Sequence, residues 1–306
     1  MNAPIVVFGY NRIEKLKACL EAVSKSAEGL DKELFLFVDG PKGEKDTDSV
    51  SCVQAYAKQY SNDCFRDIHV TCRDINAGLA TSIIEGVSEV INKYGAVIVV
   101  EDDLLVSPTF VSFCDDALAK YEHDSRIWSV GGWIPAQMEH VATEDAFLSL
   151  RAECWGWATW KDRWNLVDWN IQEYWTSFRT KITARRSFNK AGNDMSHMLD
   201  EYFEGVNHSW AIRWAYAQWK NRAYTVCPKA SLVQNEGFDG NGTNCHAAKL
   251  EQAISLDSLK APVHPAVDKH LIRRYYRAVG VHGVRRMVRG IKWGIHILSY
   301  NRKHRR

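Results

Sequence analysis

Residues Gly95–Pro108 read GAVIVVEDDLLVSP. Five small or apolar residues, Ala96 to Val100, run into three consecutive acids, Glu101, Asp102 and Asp103, and apolar residues resume at Leu104. A short apolar run of this kind reads as a strand buried on both faces. Three carboxylates at its end repel one another, which costs stability unless a cation neutralises them. Two questions follow: which sheet holds the strand, and what the acids hold.

Moving outward, the first half alternates strands with helices. PIVVFGY (4–10) reads as a strand, and IEKLKACLEAVSKSA (13–27) as a helix with Ile13, Leu16, Leu20 and Val23 on one face. ELFLFVDG (33–40) is a second strand, ending in a turn at Asp39-Gly40-Pro41. DSVSCVQAYAKQY (48–60) reads as helix, RDIHVTC (66–72) as strand, and GLATSIIEGVSEVINKY (78–94) as helix leading into the acid-tipped strand. This order predicts an α/β, Rossmann-like, mostly parallel sheet flanked by helices. Ligands of such sheets bind at the carboxyl ends of the strands, where Asn11-Arg12, Asp39, Arg73 to Asn76 and the three acids all fall. The second half is less regular. CWGWATWKDRWNLVDW (154–169) holds five tryptophans; Trp155, Trp157, Trp160 and Trp164 recur at near-helical spacing and read as core. A helix HSWAIRWAYAQWKNR (208–222), a strand-like YTVCPKASLV (224–233) and a loop QNEGFDGNGTNCH (234–246) follow.

The chain has 306 residues, 46% hydrophobic and 25% charged, enough for a sizeable core. Its apolar runs fall short of the roughly 20 residues that span a bilayer. A strand pattern by Ile5 leaves no room for a signal peptide, and eight cysteines without metal-like spacing read as reduced thiols, so a cytoplasmic location is expected. The net charge of +2 hides an asymmetry. No acid follows Asp268, whereas Lys269 to Arg306 holds twelve Lys and Arg, leaving 27 basic against 37 acidic residues before it. In the tail, Val284, Met287, Val288, Ile291, Ile295 and Leu298 share one helical face, with Arg285, Arg289 and Lys292 on another. A basic amphipathic helix suits an anionic membrane surface; the alternative is a stripe packed on the body with its charges solvated. The acidic body shows no nucleic-acid recognition motif, so no nucleic-acid partner is expected.

Mg²⁺ or Mn²⁺ binds through one or two carboxylates, with substrate phosphates and water completing its shell. Along an extended segment Glu101 and Asp103 would share a face and Asp102 would point away. The plainer reading is a solvated acidic turn before a helix near Ser107-Pro108.

VIVVEDDLLVSPTFVSFCDDAL (97–118) followed by IWSVGGW (127–133) resembles the metal-binding strand end and next strand of GT-A-type glycosyltransferases. It is close to the pattern of N-acetylglucosaminyltransferase I and of bacterial family-2-like sugar transferases. PIVVFGYNRIEKLKACLEAV, LFVDGPKGEKD, CRDINAGLATSIIEGV, CWGWATWKDRW and SLVQNEGFDGNGT resemble further landmarks in the same order, together covering roughly Pro4 to His246. The resemblance implies a GT-A-like catalytic domain over 1–262, with a nucleotide-sugar half at about 1–132 and an acceptor half at about 133–262. Residues 263–306 would then be a basic helical tail.

It further implies that Arg12 contacts donor phosphates, that Asp39 accepts a hydrogen bond from the base, and that Arg73 and Asn76 line the nucleotide-sugar pocket. Asp103 would be the metal ligand for Mn²⁺ or Mg²⁺, Asp102 would face the sugar or a metal-bound water, and Glu101 would order the turn. CWGWATWKDRW would be an acceptor-side helix, with Trp155 or Trp157 available to stack on a sugar, and the loop 235–246 would close over the diphosphate. His246 is open as an extra metal ligand. Each residue also has a plainer use: Arg12 in pairing with Glu14, Asp39 in its turn, His246 as a surface residue. The expected activity is transfer from a nucleotide sugar, UDP-sugar favoured, to a glycan or lipid-linked acceptor in cell-surface polysaccharide synthesis such as lipopolysaccharide or capsule. The expected enzyme is hexosyl- or N-acetylhexosaminyl-transferring and peripheral on the inner face of a bacterial plasma membrane.

The pattern breaks in two places. An inverting reaction needs a general base, and relatives carry W-D-x-x-W where this chain has WAIRW (210–214), with Ala211 in the Asp position. Glu153 is the substitute named here, with Asp200, Glu204 and His208 also open, and a retaining reaction is open as well. The loop has Thr243-Asn244 where relatives have Thr-His. A sugar nucleotidyltransferase and a non-catalytic binding protein of the same fold are the alternative functions.

Overall fold

The computed structural model describes residues 2–237 and 252–280. Among these residues, eight strands form one mixed α/β sheet flanked by helices, compatible with a Rossmann-like fold. The first half follows the alternation read from the sequence: β1 (Ile5–Gly9), α1 (Ile13–Ala27), β2 (Lys32–Val38), α2 (Glu44–Gln59), β3 (Phe65–Cys72), α3 (Leu79–Tyr94) and β4 (Ala96–Glu101). β1 pairs in parallel with both β2 and β4, and β2 pairs in parallel with β3.

Strand residues alternate between two buried faces. Ile5, Val7, Leu34, Leu36, Ile98 and Val100 pack with Leu16, Leu20 and Val23 of α1. Val6, Phe8, Phe35, Phe37, Val97 and Val99 pack with Ile83, Val87, Val90 and Ile91 of α3. Burial of each such side chain contributes about 1.5–3 kcal/mol, so both helices are held by the sheet more than by their own propensity. Gly95, at φ +84, ends α3 in the left-handed region that L side chains rarely adopt, and β4 starts one residue later.

After the acids come a short strand β5 (Leu104–Val106), α4 (Phe110–Tyr121) and β6 (Ile127–Gly131). A helix does start close to Ser107-Pro108, but the acids do not cap it: β5 intervenes and Thr109 stands at the N-cap of α4. A 3-10 turn (Ala136–Met138), β7 (Ala146–Ser149), β8 (Trp157–Trp160) and α5 (Lys161–Trp164) follow. β8 runs antiparallel between β4 and β6. The tryptophan segment is therefore not the helix expected from its spacing but a strand with a four-residue helix after it. Period 3 on a strand sends side chains to opposite faces. Trp160 joins the core with α1, while Trp157 joins the core with α3.

The second half adds α6 (Ile182–Phe188), α7 (Met195–Phe203), α8 (Trp210–Lys220), β9 (Tyr224–Pro228) and β10 (Val233–Asn235). β9 lies between β6 and β7, and β10 pairs with β5 in a separate two-stranded sheet. The full order is β3-β2-β1-β4-β8-β6-β9-β7. Residues 252–262 then cross the α4 side, where Leu259 and Ala261 enter the core. α9 (Lys269–Val279), capped by Asp268, opens the basic segment and sets Leu271, Tyr275, Ala278 and Val279 against Ile134, Met138 and Phe147. The amphipathic stripe expected from Val284 onward lies outside the described residues. Among the described residues no helix is long and apolar enough to cross a membrane.

Candidate functional site

The chain leaves β1 for β2 on one side and returns through α3 to β4 on the other, so the strand order reverses between β1 and β4. Open sheets of this kind bind ligands at that switch point, outside the carboxyl ends of the strands. The structure brings Arg12, which follows β1, to Asp102 and Asp103, which follow β4. Arg12 Nη2 donates to Asp102 Oδ1 at 2.6 Å and to Asp103 Oδ2 at 2.9 Å. The backbone N–H of Tyr10 donates to Asp102 Oδ2 at 3.2 Å. Arg12 thus pairs with the acids rather than with Glu14, whose partner is Lys17. The alternation expected for the acids is corrected too. Asp102 and Asp103 form a turn, so both reach one guanidinium instead of pointing apart.

Burial works against the charge on Arg12, but its two carboxylates outweigh that and hold its pKa above the ordinary guanidinium value. Asp102 is pushed up to about 6, first by burial and only partly restrained by Arg12. Glu101, which keeps some exposed surface, is pushed up to about 8 by burial and then by repulsion from Asp103 and Asp102. One arginine therefore faces three acids, and two of them resist ionising. Arg12 Nη1 is buried and has no hydrogen-bond partner among the described residues. Asp103 Oδ1 accepts no hydrogen bond among the described residues.

β10 and the first residues of the expected closing loop form a second wall beside Asp103. The backbone N–H of Glu236 donates to the carbonyl of Asp103 at 2.8 Å, and Lys15 Nζ donates to the carbonyl of Glu236 at 2.7 Å. A Cβ on Gly237 would stand 2.3 Å from Asp103 Oδ2. Gly237→Ala is therefore expected to displace Asp103 or residues 235–237. Ligand affinity at this crevice should fall at least tenfold, which is roughly 1.4 kcal/mol, while the thermal midpoint moves little. Calorimetric titration beside a melting curve checks this. His246, Thr243, Asn244 and the rest of the expected closing loop beyond Gly237 lie outside the described residues.

Asp39 sits at the neighbouring strand end. Its Oδ1 accepts from the backbone N–H groups of Gly40 and Ala77, and its Oδ2 from Gly78, all at 2.9 Å. Asn76 Nδ2 donates to the carbonyl of Gly40 at 2.8 Å. These bonds tie the loop after β3 to the end of β2. Arg73 pairs with Glu85 on the surface at 2.6 Å. Asp39, Asn76 and Arg73 thus line the rim beside the Arg12 cluster, with Asp39 and Asn76 fastening it.

No protein-family model matches the chain, and no curated protein matches it significantly. The chemistry of the crevice has to be read from its own residues.

The proposed base candidates separate cleanly. Asp200 is held by Arg185 through both oxygens, at 2.7 and 2.5 Å, and by the Tyr174 hydroxyl, so it is a structural ion pair. Glu204 reaches Arg179 at 3.6 Å, and His208 is exposed before α8. Ala211 lies in the first turn of α8, packed against the α3-side core. Glu153 is buried against Gly131 at the carboxyl end of β6, which runs parallel to β4 because both oppose β8. It is on the same rim as the acids and is pushed up to about 7, mainly by burial. Trp157 is fully buried and offers no sugar platform, while Trp155 stays partly open, edge-on to Trp133 at 4.5 Å.

Elsewhere, Glu33, Asp67 and His69 form, among the described residues, the one cluster whose ligand atoms gather closely enough for a metal. It lies toward the amino ends of β2 and β3, away from the crevice, and Glu33 is already engaged by Arg66, His69 and Tyr94.

Proposed function

We propose that this chain is a glycosyltransferase with a GT-A-like arrangement. It moves a hexosyl or N-acetylhexosaminyl group from a nucleotide sugar to a glycan or lipid-linked acceptor of the cell surface. The observation that carries the reading is the Arg12–Asp102–Asp103 cluster at the switch point, with Arg12 Nη1 buried and unpartnered among the described residues. A forked guanidinium with an unused N–H is suited to a phosphate oxygen. Asp39 and Asn76 keep the adjoining rim in place for the nucleoside.

The donor set fits a hard divalent cation only as a sparse site. Asp103 offers Oδ1, but the three acids do not gather into a cage. That is the situation in which Mg²⁺ or Mn²⁺ relies on substrate phosphates for most of its shell. Asp103 would hold the cation, and the cation would supply charge neutralisation for the departing diphosphate. Asp102 stays fixed by Arg12 and Tyr10 toward the sugar. Lys15 and residues 235–237 cover part of the Asp103 side, which limits the access of water. In an inverting reaction Glu153 would take the acceptor proton. The exposed basic residues of α9, Lys269, Arg273 and Arg274 among them, support docking on an anionic membrane face, each contributing about 1 kcal/mol near the surface.

The test is calorimetric titration with a panel of nucleoside diphosphates, with and without Mn²⁺, on the native chain and on Asp103→Ala. Mn²⁺-dependent binding of UDP is expected, weakened at least tenfold in the variant, roughly 1.4 kcal/mol or more. Failure of every nucleotide to bind would overturn the reading.

A further inference from the structure

Glu153 differs from the other buried carboxylates in how it is held. Asp39 is saturated by three backbone N–H groups, and Asp194 and Asp200 each face an arginine through both oxygens. Among the described residues Glu153 receives one hydrogen bond, at Oε1, from the hydroxyl of Tyr275. Its Oε2 accepts none among the described residues. Tyr275 is 2% exposed and belongs to α9, 122 positions away in the chain. Its ring packs on Phe147 of β7, at 6.2 Å between centroids, which fixes where the hydroxyl points.

We propose that Tyr275 is a positioning residue for Glu153, and that the first helix of the basic C-terminal segment thereby forms part of the reaction site. The proposal rests on the glycosyltransferase reading, in which Glu153 is the group that exchanges a proton with the acceptor hydroxyl. The tail is then more than an anchor, because removing α9 would leave Glu153 without its only hydrogen-bond donor among the described residues.

The surroundings of Glu153 come from four elements. Arg151, beside it in the chain, carries positive charge and pairs with Asp194 at 2.9 Å. Asp194, just before α7, adds negative charge. Cys227 of β9 and Tyr275 of α9 complete the pocket. Burial raises the Glu153 pKa, while Arg151 and the Tyr275 hydroxyl pull it back down. A single neutral donor leaves the carboxyl able to gain and lose its proton near neutrality, which a bidentate arginine would prevent.

Tyr275→Phe removes the hydroxyl and keeps the ring. The experiment titrates the Glu153 carboxyl by ¹³C NMR of Glu-labelled full-length protein, with the resonance assigned by its loss in Glu153→Gln. Leu271→Ala is the control, since it loosens α9 packing without touching the hydrogen bond. The native chain, Tyr275→Phe and Leu271→Ala are also assayed for sugar release from the UDP-sugar that the nucleotide panel selects, across pH 5 to 9. Loss of a hydrogen bond to the charged form should raise the Glu153 midpoint in Tyr275→Phe by on the order of one unit. The acidic limb of turnover should move up with it, and Leu271→Ala should move neither.

An unchanged carboxyl midpoint overturns the proposal whatever the activity. So does a shifted midpoint with an unmoved acidic limb, or an equal shift in Leu271→Ala. Failure of the glycosyltransferase reading looks different. The native chain itself would then bind no nucleotide and turn over no donor at any pH, and the catalytic sense of the proposal would fall with it.

Discussion

Arg12→Ala should destabilise the metal-free protein by about 3 kcal/mol at pH 8, the lower end of the cost of removing one partner from a buried ion pair. The lower end applies because 24% of the Arg12 side chain is exposed, whereas the Asp102 side chain is 8% exposed. Most of that loss should disappear by pH 4. Asp102 has a folded pKa of about 6, above its ordinary value of 3.8. A carboxyl shifted in this direction contributes stability that is full below its unfolded pKa and is lost as pH rises through its folded pKa. For Asp102 in the native chain the loss runs from about pH 4 to about pH 6, and Glu101 extends it toward about pH 8. Without Arg12 both acids become harder to ionise, so the loss extends further upward and grows. Protonation of Asp102 and Glu101 at pH 4 removes two of the charges that Arg12 offsets. Urea unfolding at the two pH values, with chelator present, checks this. Equal destabilisation at both would mean that Arg12 acts through packing and not through charge.

Asp39→Ala should cost about 4 kcal/mol, because three backbone N–H groups lose their acceptor at once and each buried orphan costs about 1–3 kcal/mol. The damage should be local before it is global. Amide exchange at Ala77 and Gly78 should accelerate to the rate of an open loop while β1 and β4 stay protected. Asp39→Asn should sit between the two, since its single carbonyl oxygen can still accept from two of the three donors. If Ala77 and Gly78 keep their protection in Asp39→Ala, the carboxylate does not fasten the rim, and its burial needs another explanation. A loss of nucleotide affinity without a change in exchange would instead show that Asp39 meets the base directly.

These two residues show what the sequence could and could not disclose. Four strands and three helices of the first half were readable because each is a local pattern: apolar runs of strand length separated by stretches with helical spacing. The acids were placed on the rim by the same reasoning, since the end of a strand is visible in the sequence. Their partner was not, because Arg12 and Asp102 lie 90 positions apart and no periodicity links them. Asp39 looked like a turn residue or a ligand. It is a clamp on a loop that begins 34 residues later, which only the parallel pairing of β2 with β3 explains.

The tryptophan segment misled for a different reason. Spacings of three and four residues are what a helix needs, but between two strands they place Trp157 and Trp160 on opposite faces, and both faces have room. Short tryptophan-rich runs satisfy either period, and the open edges of β4 and β6 decide. Glu153 was named for its place before that segment. The donor that holds it, Tyr275, belongs to a stretch whose charge had drawn attention to its solvent side.

The position of β8 also fixes an order of events during synthesis. β4 and β6 both leave the ribosome before the strand that joins them, and Trp157 follows Glu101 by 56 residues. At about 5–20 residues per second, the edge of β4 waits several seconds for its partner. During that interval Val97 and Val99 lack the indole of Trp157 that later packs on their side of the sheet. A nascent chain halted anywhere between Glu101 and Trp157 would present an unpaired apolar strand edge, the kind of surface that draws chaperones.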